Sequence, residues 1–91
     1  MHYLVIERFH AGKVRRLYER FDLKGRMLPE GVRYVSSWID EPVARCFQVM
    51  ECDDAARLHE WIGRWSDLAD FEVIPVITSA EARARTLTRD E

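Results

Sequence analysis

Seven side chains on three predicted strands could together bind a small molecule. They comprise a carboxylate, an amide, a hydroxyl, a thiol, a thioether and two aromatic rings: Glu7, Tyr34, Ser36, Trp38, Cys46, Gln48 and Met50. Aromatic walls with a few polar groups are typical of a pocket that orients a small, partly apolar ligand. The same residue types are also frequent in dimer interfaces. The sequence supports both interpretations equally, and the two are compatible.

Sequence motifs for specific chemistry are absent. The chain contains no Gly-rich phosphate loop, no nucleophile elbow and no CxxC or HxxH pair. His2 and His10 flank the first predicted strand, and His59 lies in a predicted helix. An imidazole without converging ligand partners is usually a surface group. We therefore predict neither a metal site nor a cofactor.

Two further chemical candidates have simpler interpretations. Cys46 is a candidate reactive thiol, although a cysteine within a strand more often packs as a small apolar residue. Glu7 and Glu72 are candidates for a pair of carboxylates in which one acts as a general base. Carboxylates at the rim of a sheet more often form ion pairs, here with Arg8, Arg33 or Arg45. The simpler interpretation is favoured in both cases.

The composition indicates one small folded domain. The chain has 91 residues, of which 47% are hydrophobic and 33% charged, and no apolar run approaches the roughly 20 residues of a membrane span. The net charge of -2 disfavours binding to nucleic acid, which requires a basic surface. No signal-peptide pattern follows Met1. We expect a cytoplasmic protein that does not associate with membranes.

Hydrophobic patterns predict four strands and two amphipathic helices in the order βαββαβ. Apolar residues alternate or cluster in the strands, which we place at 2–9, 32–40, 44–52 and 71–78. Spacings of i, i+3, i+4 and i+7 predict the helices, with stripes formed by Val14, Leu17, Tyr18 and Phe21 and by Leu58, Trp61, Ile62 and Trp65. This order is that of a ferredoxin-like α+β domain with a four-stranded antiparallel sheet.

A second segment follows this domain. Thr78 to Glu81 has the form of a capping box, which predicts the start of a C-terminal helix. The helix is polar, and Leu87 is its single large apolar residue. We therefore divide the chain into a ferredoxin-like domain at 1–78 and a polar helix or tail at 79–91.

Both faces of the predicted sheet are apolar, although two helices can cover only one. We expect the helices to cover the face that carries Leu4, Ile6, Val35, Ile39, Phe47 and Val49. The other face would carry Tyr3, Val5, Phe9 and the seven candidate ligand-binding residues. Leaving five or six large apolar groups in water forgoes about 1.5–3 kcal/mol for each. A second copy, packed sheet to sheet about a twofold axis, would bury them and enclose a ligand between the sheets.

Four segments of the chain resemble a family of small bacterial proteins described as a domain of unknown function. They are Met27 to Gly31, Arg45 to Glu51, Arg64 to Leu68 and Phe71 to Val76. The order of elements is similar to that of the dimeric α/β-barrel superfamily, in which two ferredoxin-like chains enclose a cavity. The resemblance implies this fold and a homodimer, and it implies no particular reaction.

Three functions fit this fold to different degrees. The first is a homodimeric barrel that binds a small molecule without catalysis. The second is an enzyme that resembles the cofactor-independent monooxygenases or isomerases of the superfamily, with Glu7, Tyr34, Trp38 and Gln48 shaping its pocket. The third is an RNA-recognition module, which has the same order of elements. It is disfavoured because 45–52 lacks the basic, glycine and aromatic pattern of the RNA-stacking strand.

Overall fold

A four-stranded antiparallel sheet with helices on one face forms the body of the protein. The structure is a computed structural model and describes residues 1–88. The elements are β1 (His2–Phe9), α1 (Val14–Lys24), β2 (Val32–Ile39), β3 (Arg45–Cys52), α2 (Ala55–Gly63), β4 (Ala69–Val76) and α3 (Ser79–Thr88). The strands lie in the order β2-β3-β1-β4, and every neighbouring pair is antiparallel. The predicted ferredoxin-like α+β fold with an additional C-terminal helix is confirmed.

Local sequence signals account for where several elements begin and end. Gly25 follows α1 with a φ of 65° and donates its N–H to the carbonyl of Phe21, a conformation that suits a residue without a side chain. The Asp54 carboxylate accepts the N–H of Ala56 at 2.9 Å and caps α2. Pro75 lies in β4 at the edge of the sheet, where a missing backbone donor is tolerated.

The hydrophobic core lies between α1, α2 and one face of the sheet, which we call the helix face. The helix face carries Tyr3, Val5, Glu7, Cys46, Gln48, Met50 and Cys52, and all of them are buried. Leu17 from α1 and Leu58 and Trp61 from α2 pack against its apolar residues. The opposite face, which we call the open face, carries Leu4, Ile6, Phe47, Val49 and Ile74, and these are half-buried.

A β-bulge in β2 reverses the alternation of side chains in the second half of that strand. Tyr34 pairs with Met50, and the next paired residue is Ser36, opposite Val49. Val35 is therefore an additional residue in the ladder. Because paired residues share a face, Ser36 and the following Trp38 belong to the open face. The residues opposite Gln48 and Cys46 on the helix face are Ser37 and Ile39.

The predicted assignment of the two sheet faces is wrong. We expected the helices to cover Leu4, Ile6, Phe47 and Val49, whereas they cover the face of Val5, Gln48 and Met50. Alternation along β1 and β3 shows which side chains share a face. It does not show which face meets the helices, because both faces are apolar. The bulky indole rings from α2 and the turn after it pack over the small and flexible side chains of β3, including Cys52.

The C-terminal helix does not belong to the core. All residues of α3 are exposed, and Leu87 is exposed as well. Thr78 caps the helix through a hydrogen bond of 3.0 Å from the N–H of Glu81, as the capping box predicts. Residues 89–91 of the predicted tail lie outside the described residues, and the division of the chain at residue 78 stays a prediction.

None of the helices at residues 1–88 combines the length and the apolar character needed to cross a bilayer. The cytoplasmic location stays a prediction.

Two leucines of the helices provide a matched test of this packing. Leu58 in α2 is fully buried, whereas Leu23 in α1 is 84% exposed. We expect Leu58→Ala to lower the free energy of unfolding by about 2–5 kcal/mol because it leaves a cavity in the core. Leu23→Ala should change it by less than about 0.5 kcal/mol. Urea denaturation of both variants measures the difference, and equal losses would contradict the described core.

Candidate functional site

A cavity of about 250 Å³ lies between the helix face of the sheet and the two covering helices. Its wall is mostly aromatic and aliphatic, with five polar or charged groups besides the indoles. The residues that line it are Glu7, Phe9, Leu17, Tyr18, Phe21, Arg26, Ser37, Ile39, Cys46, Gln48, Trp61 and Trp65. The cavity is slightly smaller than the 300–1,000 Å³ or so of sites for drug-sized ligands, so it suits a small organic molecule.

A hydrogen-bonded pair of buried polar side chains forms one wall of the cavity. Glu7 in β1 is 7% exposed and Gln48 in β3 is 3% exposed. The Gln48 Nε2 donates a hydrogen bond to Oε1 of Glu7. Their strands are neighbours, with Glu7 paired to Cys46 and Gln48 paired to Val5, so the two side chains are diagonal neighbours on the helix face.

Burial changes the acidity of Glu7. Desolvation raises the pKa of its carboxyl from 4.5 to about 7, and the nearby positive charge of Arg26 lowers it in part. The carboxyl is therefore divided between its neutral and ionised forms near neutral pH. A group with such a pKa can hold or release a proton within the cavity.

The segment after α1 places Arg26 beside this pair. The backbone oxygen of Arg26 accepts hydrogen bonds from Nε1 of both Trp61 and Trp65, each at 2.9 Å. Its guanidinium carbon lies 3.6 Å from the centroid of the Tyr34 ring and 5.2 Å from that of Phe21. Arg26 is thus fixed through its main chain by the indoles and through its side chain by stacking on aromatic rings.

Hydroxyl groups complete the polar wall near Arg26. The Arg26 Nη2 donates to Oγ of Ser37 at 3.5 Å, and the hydroxyls of Ser37 and Tyr34 are 2.7 Å apart. Tyr18 from α1 lines the same cavity, and burial raises the pKa of its phenol. Tyr18 therefore stays protonated at neutral pH.

Cys46 is buried against Glu7 in the sheet. Burial, and next the negative charge of Glu7, raise the pKa of its thiol to about 12. The thiol is therefore protonated at neutral pH and a poor nucleophile. Cys46 and Cys52 are both free, and they lie on the same strand.

The seven residues predicted to bind a ligand are divided between four places. Glu7, Cys46 and Gln48 line the cavity. Met50 lies on the same face but is fully buried in the core, and Tyr34 supports Arg26 at the edge of the sheet. The bulge places Ser36 and Trp38 on the open face, away from the others.

Several cavity residues were not predicted. Arg26 lies in a loop, where hydrophobic periodicity gives no information about direction. Ser37 was not a candidate because strict alternation from Tyr34 places it on the opposite face of the sheet, whereas the bulge brings it to the face of Gln48. Trp61 and Trp65 were recognised as packing residues of the second helix, and they also form a wall of the cavity.

The two carboxylates proposed as a pair do not meet. Glu72 is opposite Ile6 on the open face and forms an ion pair with Arg8 at 3.1 Å, whereas Glu7 is opposite Phe71 on the helix face. His10 bonds Asp70 instead of lining the cavity, with its Nε2 at 2.9 Å from Oδ1 of Asp70. Within residues 1–88, no three His, Cys, Asp or Glu side chains are grouped so that they could hold a metal ion.

A known protein family matches nearly the whole length of this chain. Residues 1–88 match the domain of unknown function DUF3303. The chain is a member of the DUF3303 family. No curated protein sequence is significantly similar to it.

Solved structures of two bacterial proteins are similar to this DUF3303 chain. The crystal structure of SCO4226 from Streptomyces coelicolor A3(2) has a TM-score of 0.53 and 18% sequence identity, with 86% of this chain and 100% of that chain covered. The crystal structure of Atu4242 from Agrobacterium tumefaciens has a TM-score of 0.49 and 13% identity, with coverages of 87% and 96%. Because the sequence identity is this low, the similarity to SCO4226 supports the ferredoxin-like fold alone.

The pKa of Glu7 predicts how the stability of this DUF3303 protein depends on pH. Between pH 4.5 and 7 the unfolded state loses the Glu7 proton while the folded state keeps it, so the free energy of unfolding falls as pH rises. The full loss above pH 7 is about 3 kcal/mol. Glu7→Gln keeps the shape and the bond from Gln48 but has no proton to lose. We therefore expect this variant to gain about 3 kcal/mol relative to the native protein between pH 4.5 and 8.

Urea denaturation at a series of pH values, at one protein concentration, measures this gain. The matched control is Glu72→Gln, because Glu72 is half-exposed and paired with Arg8 on the open face. This control should show no comparable change between pH 4.5 and 8. A Glu7→Gln variant whose stability runs parallel to that of the native protein would contradict the raised pKa of Glu7.

Proposed function

We propose that the protein binds a small, partly apolar molecule in the cavity between the helix face and the covering helices, and that it acts as a homodimer. The observation that carries the proposal is the buried Glu7–Gln48 pair in the wall of a mostly apolar cavity. A core without function gains nothing from such a pair, since burying polar groups costs free energy even when they bond each other.

The pair retains hydrogen-bonding capacity for a ligand. Within residues 1–88, Glu7 and Gln48 make one side-chain hydrogen bond, the one between them, and no fully buried side-chain polar atom lacks a partner. The second oxygen of Glu7 and the amide oxygen of Gln48 are thus accessible from the cavity. A ligand with one polar group could bond them while its apolar part contacts Trp61 and Phe21.

This location differs from the one expected from the sequence. The ligand was expected between the sheets of two copies, whereas the polar residues that could bind it lie inside one copy. The cavity therefore supports ligand binding by each subunit separately. The homodimer rests on a different surface of the molecule.

The open face supports pairing with a second copy. Its apolar residues are only half-buried in the single chain, and Trp38 is 76% exposed. Two such faces related by a twofold axis present the same patch to each other, which is the usual geometry of a homodimer. Each large apolar side chain that becomes buried would contribute about 1.5–3 kcal/mol. The exposed helix α3 is also available for contacts with the second copy.

Two adjacent serines on opposite faces of β2 test ligand binding. Ser37 lines the cavity, whereas Ser36 lies on the open face. The probes are 4-fluorobenzoate, 4-fluorobenzamide and 4-fluorobenzylamine, followed by ¹⁹F NMR. We expect at least one probe to bind saturably, and Ser37→Leu to weaken its binding by about tenfold or more because the added side chain fills the cavity. Ser36→Leu should leave the affinity unchanged within a factor of two.

Circular dichroism and urea denaturation of both variants check that they fold. If none of the probes binds the native protein, or if both leucine variants bind equally well, the proposal of a ligand site in this cavity is wrong.

A charge on the open face tests the homodimer. Trp38→Glu places a carboxylate at a position that is exposed in the single chain, so its fold should be unaffected. At micromolar concentration, we expect sedimentation equilibrium to show a dimer for the native protein and mainly single chains for this variant. Leu23→Glu is the control because Leu23 is equally exposed but belongs to α1, on the other side of the molecule. A native protein that sediments as a single chain would exclude the dimer.

An enzyme of isomerase type at the same site is the second candidate function. It is favoured by one observation, the burial of the Glu7 carboxyl in the wall of the cavity, which raises its pKa to about 7. Such a carboxyl is suited to general acid–base catalysis near neutral pH, where it can take a proton from one atom of a ligand and return it to another. Gln48 would then be a positioning residue, since it holds Oε1 of Glu7.

A further inference from the structure

The cavity contains a cation, Arg26, that is stacked on aromatic rings. Arg26 lines the cavity, and within residues 1–88 no Asp or Glu oxygen lies within 4.0 Å of its guanidinium. Most other arginines of the chain form ion pairs: Arg8, Arg15, Arg20, Arg33, Arg45, Arg57, Arg64 and Arg85. Arg26 therefore differs from them in being held next to a cavity by aromatic rings.

The stacking leaves the hydrogen-bonding edge of Arg26 available. The guanidinium carbon lies over the Tyr34 ring at 3.6 Å from its centroid, a distance that fits stacking of the ring on a face of the guanidinium. The N–H groups lie in the plane of the guanidinium and point away from its faces, in the fork arrangement that matches the two oxygens of a carboxylate. Ser37 adds a hydroxyl at 3.5 Å from Nη2 of Arg26.

We propose that the ligand of this cavity is a small organic anion, a carboxylate group on an apolar body, and that Arg26 binds its charge. This inference rests on the proposed function and specifies the chemical class of its ligand. The apolar body would lie against the indole wall formed by Trp61 and Trp65, and the carboxylate would lie beside Arg26, within reach of the Ser37 hydroxyl. The ligand must be small, because the cavity has a volume of about 250 Å³.

The second charged residue of the cavity is compatible with an anion. Among residues 1–88, Glu7 is the one acidic residue that lines it. Because burial favours its neutral form, the Glu7 carboxyl is mostly uncharged at pH 6 and leaves most of the charge of Arg26 uncompensated. A protonated Glu7 could donate a hydrogen bond to the ligand, whereas an amine ligand would require an ionised Glu7 and would be repelled by Arg26.

Three probes of similar shape and different charge test this inference at pH 6. They are 4-fluorobenzoate, 4-fluorobenzamide and 4-fluorobenzylamine, which are anionic, neutral and cationic, respectively. We expect the benzoate to bind about tenfold or more tightly than the benzamide, since a charge-assisted forked pair replaces a neutral hydrogen bond. The benzylamine should bind weakest. Dissociation constants follow from ¹⁹F NMR titrations of the native protein.

Substitutions of Arg26 test whether its side chain causes this order of probe affinities. Arg26→Gln should weaken the benzoate about tenfold and change the benzamide less than about twofold, because only the benzoate needs the positive charge. Arg26→Lys keeps the charge but loses the fork, so it should restore part of the benzoate affinity. Arg83→Gln removes an exposed arginine of α3 and should have no effect. The fold should survive, because the backbone oxygen that binds both indoles remains in every variant.

The outcomes separate this inference from the function on which it rests. If the benzamide or the benzylamine binds most tightly, or if Arg26→Gln leaves the benzoate affinity unchanged, the ligand is not an anion bound by Arg26. The Ser37→Leu variant then still shows whether the cavity is the site. If no probe binds at all, both the cavity site and its proposed ligand class are wrong.

Discussion

Two indole N–H groups share one backbone oxygen, and the arrangement of the cavity depends on that contact. Trp61 and Trp65 both donate to the carbonyl of Arg26, whose two lone pairs allow two donors. Large rings can be buried here because their N–H groups keep a partner, and an unsatisfied one would cost about 1–3 kcal/mol. The contact attaches the loop that follows α1 both to α2 and to the turn after α2. This contact therefore positions both the indole wall of the cavity and Arg26, its cation.

The bulge in β2 has a comparable effect on the sheet. Without an additional residue at Val35, strict alternation would turn Ser37 and Ile39 to the open face and Trp38 into the layer beneath the helices. With it, a serine lies beside Gln48 on the helix face, and the indole of Trp38 lies opposite Phe47 on the open face. One irregular residue at the sheet edge therefore determines which of two serines faces the cavity and places Trp38 on the apolar surface outside it.

The sequence was sufficient for the order of the elements because that order depends on local patterns. The stripe from Leu58 to Trp65 and the capping box at Thr78 each occupy a short segment and predict an element without reference to the rest of the chain. The candidate site depends on contacts between distant segments. Glu7 and Gln48 were correctly placed on one face, since the pairing of β1 with β3 is regular throughout, whereas the face itself was wrongly assigned.

Arg26 shows why the remainder of the site could not be predicted. It lies in a loop, and its position results from the indoles of a helix about 35 residues further along the chain. Hydrophobic periodicity carries no information about such contacts, and a lone arginine after a helix is in most proteins a solvated charge. The bulge is equally hidden, because Val35, Ser36 and Ser37 contain none of the glycines that often mark one.

Glu7 is the residue whose presence is hardest to explain by stability alone. A core position that is 7% exposed would be filled more favourably by leucine or methionine, since an ionised carboxylate there must give up its hydration. The protein reduces this cost in two ways, with the bond from Gln48 and with the charge of Arg26, yet the pKa of about 7 shows that the compensation is incomplete. A ligand that brings its own negative charge to Arg26 would weaken the compensation further and favour a protonated Glu7. Near and above pH 7, where Glu7 is at least partly ionised, the carboxyl would then change from an acceptor to a donor as the cavity fills, which couples the proton on Glu7 to the occupancy of the site.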